Sequence, residues 1–206
     1  MTTDTLDIPA EHLRAFSKDE INAMPLRRYE GNIKLIRNQK ELEAALPDLT
    51  DESLLGFDTE TRPVFKKGKK PGPPAILQLA TATCVYVCQI YAVGLKEGLC
   101  NILADKQTTK TGVAVRDDIL GLQRHAKFKP SGFIDLSTIT AQAKMQTHGL
   151  RNMAANLLGF RISKSAQCSN WAKEKLTTQQ INYAATDAWV SRELYMALDK
   201  LGLISY

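Results

Sequence analysis

Three short stretches of the chain carry side chains that could hold divalent cations at a phosphate. In SLLGFDTE, Asp58 and Glu60 close an apolar run. On an extended strand, residues i and i+2 point the same way, so both carboxylates leave the sheet together. Asp117 and Asp118 follow a second strand-like stretch, TGVAV. Tyr183 and Asp187 stand four apart in a long helical pattern, a spacing that stacks them on one face. Taken singly, each has an ordinary structural explanation. A strand end is often acidic, the first turn of a helix favours acidic residues through its dipole, and a tyrosine often sits half-buried on an amphipathic helix. Together they form an all-oxygen donor set. Two carboxylates about 4 Å apart repel by roughly 4 kcal/mol at an effective dielectric of 20. A cluster of four therefore requires compensating charge, which two divalent ions would balance. Oxygen donors favour magnesium or manganese over zinc.

These residues must be positioned by strands and helices that the sequence also marks. The first thirty residues read as a polar lead-in with one short helix, capped by Ser17 with Glu20 and ended by Pro25. A short strand is predicted over Ile33 to Ile36, then a helix from Asn38 to about Leu46. Ser53 to Thr59 reads as an apolar strand. The loop RPVFKKGKKPGPP follows, then Ala75 to Ala80 and Cys84 to Ile90 as an antiparallel pair across the turn Thr81 to Thr83. A helix over Leu95 to Leu103 precedes a strand at Thr111 to Val115, a helix from Asp117 to His125, and a strand at Phe133 to Leu136. Three helices close the chain: Ser137 to Lys144, Leu150 to Leu158 ended by Gly159, and Thr178 to Leu201. The last starts at a Thr177/Gln180 capping box and stops at Gly202. Strands followed by alternating strands and helices predict an α/β fold with a mixed sheet.

GFDTET, TGVAVRDD and NYAATD resemble the three exonuclease motifs of the DEDD superfamily, in the subgroup with Tyr in the third motif. Within it, the chain is most similar to the Werner-syndrome-type exonuclease domain and its bacterial relatives, with ribonuclease D a more distant cousin. The likeness runs from about Tyr29 to Leu201 and includes AILQLAT, HGLRNMAANLLGF and CSNWAKEKLTTQQINYAATDA. It implies an RNase H-like fold whose five-stranded mixed sheet is flanked by helices, with an exonuclease domain over 29–206 behind an extension over 1–28. It implies two Mg2+ or Mn2+ ions. Asp58 would bridge them, Glu60 and Asp187 would complete the first site, and Asp118 would serve the second. Asp118 is chosen over Asp117 because the family motif sets its Asp six residues after a Gly, here Gly112. Tyr183, with an unperturbed pKa of about 10, would aim the attacking water rather than act as a base. Two departures stand out: Ala114 occupies a position often held by Gly, and Thr61-Arg62-Pro63 replaces a segment that carries an aromatic in the Werner domain.

The same resemblance places Thr59 and Thr61, on either side of Glu60, against the terminal nucleotide. The position of Lys66 and Lys67 in the KKGKK segment suits phosphate contact. The net charge of +5 and pI near 9.0 also fit a polyanionic partner. DNA is the expected substrate, since the chain closes with the last helix and lacks the added helical domains common in ribonuclease D-type enzymes. RNA 3′-end trimming is the alternative. A catalytically silent nucleic-acid-binding module would be expected to have lost an acidic ligand, and all four are present. The four cysteines form no CxxC pair, which argues against a zinc site and fits a reducing, cytoplasmic setting. No run of 18 apolar residues predicts a membrane span.

Overall fold

The computed structural model of the chain describes residues 8–66, 68 and 70–204. Two short helices, α1 (Ala10–Leu13) and α2 (Lys18–Ala23), precede β1 (Asn32–Ile36) and α3 (Gln39–Thr50). Three strands follow: β2 (Leu54–Glu60), β3 (Ile76–Ala80) and β4 (Cys84–Gln89). The remainder alternates through α4 (Ile90–Val93), α5 (Glu97–Ala104), β5 (Thr109–Gly112), α6 (Val115–Leu122), β6 (Phe133–Asp135), α7 (Leu136–Gln142) and α8 (Leu150–Met153). A π-helical turn, Ala154–Leu158, continues α8, and α9 (Thr178–Lys200) is the longest helix.

The α/β, RNase H-like expectation holds, but the sheet has six strands rather than five, in the order β1-β4-β3-β2-β5-β6. The sixth is β1, which pairs parallel with β4 from Asn32 opposite Cys84 to Ile36 opposite Cys88. β3 alone runs against the others. Period-2 alternation divides the central strands between two cores. Leu55 and Phe57 of β2, with Leu77, Leu79, Tyr86 and Cys88, face the side covered by α3 and α5. The residues between them, including Ile76, Ala80, Val85 and Val87, face Ala184, Ala185 and Ala188 of α9. Cys84 and Cys88 are buried on the first of these faces, and all four cysteines are free thiols.

Small residues bring α9 close to the sheet. A Cβ on Gly56 would lie 2.0 Å from the carbonyl oxygen of Ala188, so the β2 backbone meets the helix backbone directly. The start of α9 is set by the predicted capping box. The Thr177 hydroxyl accepts from the Gln180 N–H while the Gln180 side chain accepts from the Thr177 N–H. Ser17 and Glu20 form the same box at α2, whereas at α3 the Asn38 side chain caps alone, accepting from the Glu41 N–H. No helix among the described residues is long and apolar enough to cross a membrane.

Ala114 explains one departure from the motif. It is the residue before α6 and sits at φ +59°, in the left-handed region. An L side chain there costs about 1 kcal/mol or more, which glycine avoids. Ala114→Gly is expected to raise unfolding stability by about 1 kcal/mol, read as a shifted denaturation midpoint. A lower midpoint would show that the loss of chain stiffness outweighs the relief of strain.

Candidate active site

Asp58 and Glu60 stand at the C-terminal end of β2 on the face that meets α9. The capped start of α9 brings Asp187 over that strand end. One carboxylate oxygen from each of Asp58, Glu60 and Asp187 lies within 4.8 Å of the other two. Glu60 and Asp187 are buried, at 8% and 5% exposure. Asp118 approaches from elsewhere. Thr59 points to the opposite face of β2 from its two neighbours, and its hydroxyl donates to the Asp118 carboxylate. Asp118 is half-buried, whereas Asp117 is exposed. Thus β2 carries two of the four carboxylates on one face, α9 lays Asp187 against that face, and Thr59 ties Asp118 to the other.

The electrostatics follow from crowding without positive charge. Among the described residues, no lysine or arginine forms an ion pair with any of the four. Burial, then the charges of Asp187 and Asp118, raise the Asp58 carboxyl well above its ordinary range. Burial followed by the charge of Asp58 and then Asp187 pushes Glu60 up to about 10. Burial lifts Asp187 to about 7, with the neighbouring Tyr183 hydroxyl acting in the opposite sense. Asp118 reaches about 6, chiefly through burial, while its bond from Thr59 pulls it down. Tyr183 is raised by burial and then by the charge of Asp187, so its hydroxyl keeps its proton. Oxygen donors short of positive charge fit a divalent hard cation.

Tyr183 is half-buried one turn before Asp187, its ring 5.9 Å from that of Trp171. Trp171 is fully buried in the α9-side core, where it backs the tyrosine. Among the expected nucleotide contacts, Thr61 is half-buried beyond the strand end and Lys66 is exposed. Lys67 lies outside the described residues. The Thr59 hydroxyl is committed to Asp118.

Two further features of the site depend on long-range pairing. Gln78, paired in register with Asp58, is fully buried with both side-chain amide atoms unpartnered. Alternation places it on the carboxylate face only once the β2–β3 register is known. A cavity of about 170 Å³ adjoins Tyr183 and Asp187 and brings His148, Arg151 and Lys164 to the site. The HGLR stretch hinted at the first two, but nothing local indicated where they would face.

A 3′–5′ exonuclease family model matches residues 33–202. The bifunctional 3′–5′ exonuclease/ATP-dependent helicase WRN of Mus musculus is 32% identical over 160 residues, covering 75% of this chain and 11% of that protein. The chain thus spans a small part of this relative's length. The exonuclease domain of Aedes aegypti Nibbler superposes with a TM-score of 0.74 at 26% identity, covering 87% of this chain and 92% of that one. Escherichia coli RNase D shares the fold, with a TM-score of 0.71 at 21% identity over 84% of this chain and 47% of that one. The chain belongs to the 3′–5′ exonuclease family.

Proposed function

We propose that the chain removes nucleoside 5′-monophosphates one at a time from the 3′ end of a nucleic acid, by hydrolysis that depends on two Mg2+ or Mn2+ ions. The observation that carries the reading is the convergence of Asp58, Glu60 and Asp187 within 4.8 Å, from a strand end and a distant helix. Asp58, Glu60 and Asp187 would hold one ion, and Asp58 with Asp118 the other. Bound divalent ions would neutralise the scissile phosphate, acidify the attacking water and stabilise the departing 3′ oxygen. Tyr183 keeps its proton, so it donates a hydrogen bond that aims the water and does not act as a base. Glu60 accepts from the same water. Thr59 positions Asp118, while Thr61, Lys66 and Lys67 meet the strand. The new P–O bond forms as the bond to the 3′ oxygen breaks, leaving a shortened chain with a free 3′ hydroxyl.

DNA is the favoured polymer, because the motifs resemble the Werner-type exonuclease domain more than ribonuclease D. A panel of 5′-labelled DNA and RNA strands with each metal tests both parts. Stepwise 3′ shortening is expected, faster on DNA. Faster loss of RNA would reverse the polymer assignment, and no shortening of either would sink the activity. Tyr183→Phe is expected to slow the reaction about 10²-fold while metal affinity persists. Lost metal binding in that variant would contradict the aiming role.

A further inference from the structure

A second, larger cavity lies on the other side of Tyr183. It measures about 750 Å³, within the range of roughly 300–1,000 Å³ common for small-ligand sites. Its outer wall is the segment before β1, a part of the chain that precedes the family-matched residues 33–202. That wall is tied down by backbone pairing. Arg161 N–H donates to the Pro25 carbonyl, Arg27 N–H donates to the Arg161 carbonyl, and Tyr29 N–H donates to the Thr186 hydroxyl of α9. Tyr183 and Ser163 line both cavities, so the larger one opens onto the catalytic tyrosine.

The lining has the chemistry of a nucleotide. Arg27 and Arg28 are exposed, and among the described residues neither guanidinium has an ion pair or side-chain hydrogen bond. A planar guanidinium with free donors matches phosphate oxygens in pairs. Glu30 is the one acidic residue of the lining, so the wall stays positive. Asn182 offers an amide donor and acceptor, Gln179 offers its carbonyl oxygen while its nitrogen donates to the Ser165 hydroxyl, and Pro25 with Leu26 offers an apolar surface. Leu26 is 54% exposed, so its side chain is open to contact.

We propose that this cleft is a nucleotide-binding annex of the exonuclease site. Arg27 and Arg28 take a phosphate, Gln179 and Asn182 the base edge, and Pro25 and Leu26 the sugar and base face. The inference rests on the exonuclease reading for its ligand class. The phosphate belongs either to a nucleotide of the bound strand or to the released nucleoside 5′-monophosphate.

Binding to the full chain in EDTA tests this without hydrolysis. Anisotropy of a 5′-fluorescein DNA dodecamer is followed over a salt series, and nucleoside 5′-monophosphate binding is followed by calorimetry. Arg27→Ala/Arg28→Ala is compared with Lys127→Ala/Lys129→Ala, which removes equal charge from exposed lysines before β6. If a strand nucleotide sits in the cleft, the arginine variant lowers the salt slope by about 0.7, the value for the one phosphate that the pair holds. If the product sits there, the variant weakens monophosphate binding about tenfold or more. Arg27→Lys/Arg28→Lys recovers part of either loss. Unchanged binding of both ligands would overturn the proposal, as would an equal loss in the lysine variant. Failure of the exonuclease reading would show separately, as absence of cleavage with manganese by a protein that still binds.

Discussion

Asp187→Asn is expected to lower the rate of 3′ shortening on the order of 10³-fold or more, equivalent to about 4 kcal/mol of transition-state stabilisation. The change keeps the shape of the side chain and removes its charge. Asp187 is one of the three carboxylates gathered within 4.8 Å, and it is the only one contributed by α9. Without it, the proposed cation site would lose one of its four carboxylates and the donor that α9 supplies. Single-turnover cleavage of a 5′-labelled oligonucleotide at saturating manganese reads the chemical step. A variant within tenfold of the wild type would mean that Asp187 holds no ion. Asp117→Asn is the informative contrast. That carboxylate is exposed beside the half-buried Asp118, so its loss is expected to change the rate by less than about threefold.

The second large effect is on stability and reverses with metal. Asp58, Glu60 and Asp187 are all raised above their ordinary values of 3.8 to 4.5. A group whose folded pKa exceeds its unfolded one holds its proton more tightly in the native state. Its contribution is full below the unfolded value and is lost as pH rises through the folded one. For this cluster the loss begins near pH 4, passes Asp187 at about 7 and extends to Glu60 at about 10. Metal-free protein is therefore expected to lose Tm between pH 5 and pH 9. Asp58→Asn takes one carboxylate out of the crowded cluster and is expected to raise the metal-free Tm at pH 8 by roughly 5 °C, about 2 kcal/mol for a chain of this size. Manganese should stabilise the wild type more at pH 8 than at pH 5, because ligands must be ionised to bind. A metal-free Tm that rises steadily to pH 9, with no gain in the variant, would contradict the crowding of the cluster.

The parts of this site that could be read from sequence are those with local signals. The apolar run into Asp58 and Glu60 marked both the strand and its acidic end. The Thr177/Gln180 box fixed where α9 begins, and the four-residue spacing put Tyr183 and Asp187 on one face. The strand at β1 was visible too, although the family likeness alone suggested one strand fewer. Long-range pairing has no such signal. Nothing local says that Thr59, facing away from its neighbours, reaches Asp118, or that Gln78 is the register partner of Asp58. The cleft at Arg27 and Arg28 exists because residues 25–27 pair with Arg161, far along the chain. The helix predicted over Leu150 to Leu158 passes into a π-helical turn after Met153. There Asn156 donates to the carbonyls of His12 and Arg14, a tertiary contact that helix propensity cannot foresee.

In the proposed mechanism the four carboxylates together hold two divalent ions. Equilibrium titration with Mn2+ at pH 8, with free manganese read by its paramagnetic resonance, tests it most directly. The wild type is expected to bind two ions per chain. Asp58→Asn should abolish binding at both, and Asp118→Asn should remove one. Wild-type stoichiometry and affinity in Asp58→Asn would contradict the account.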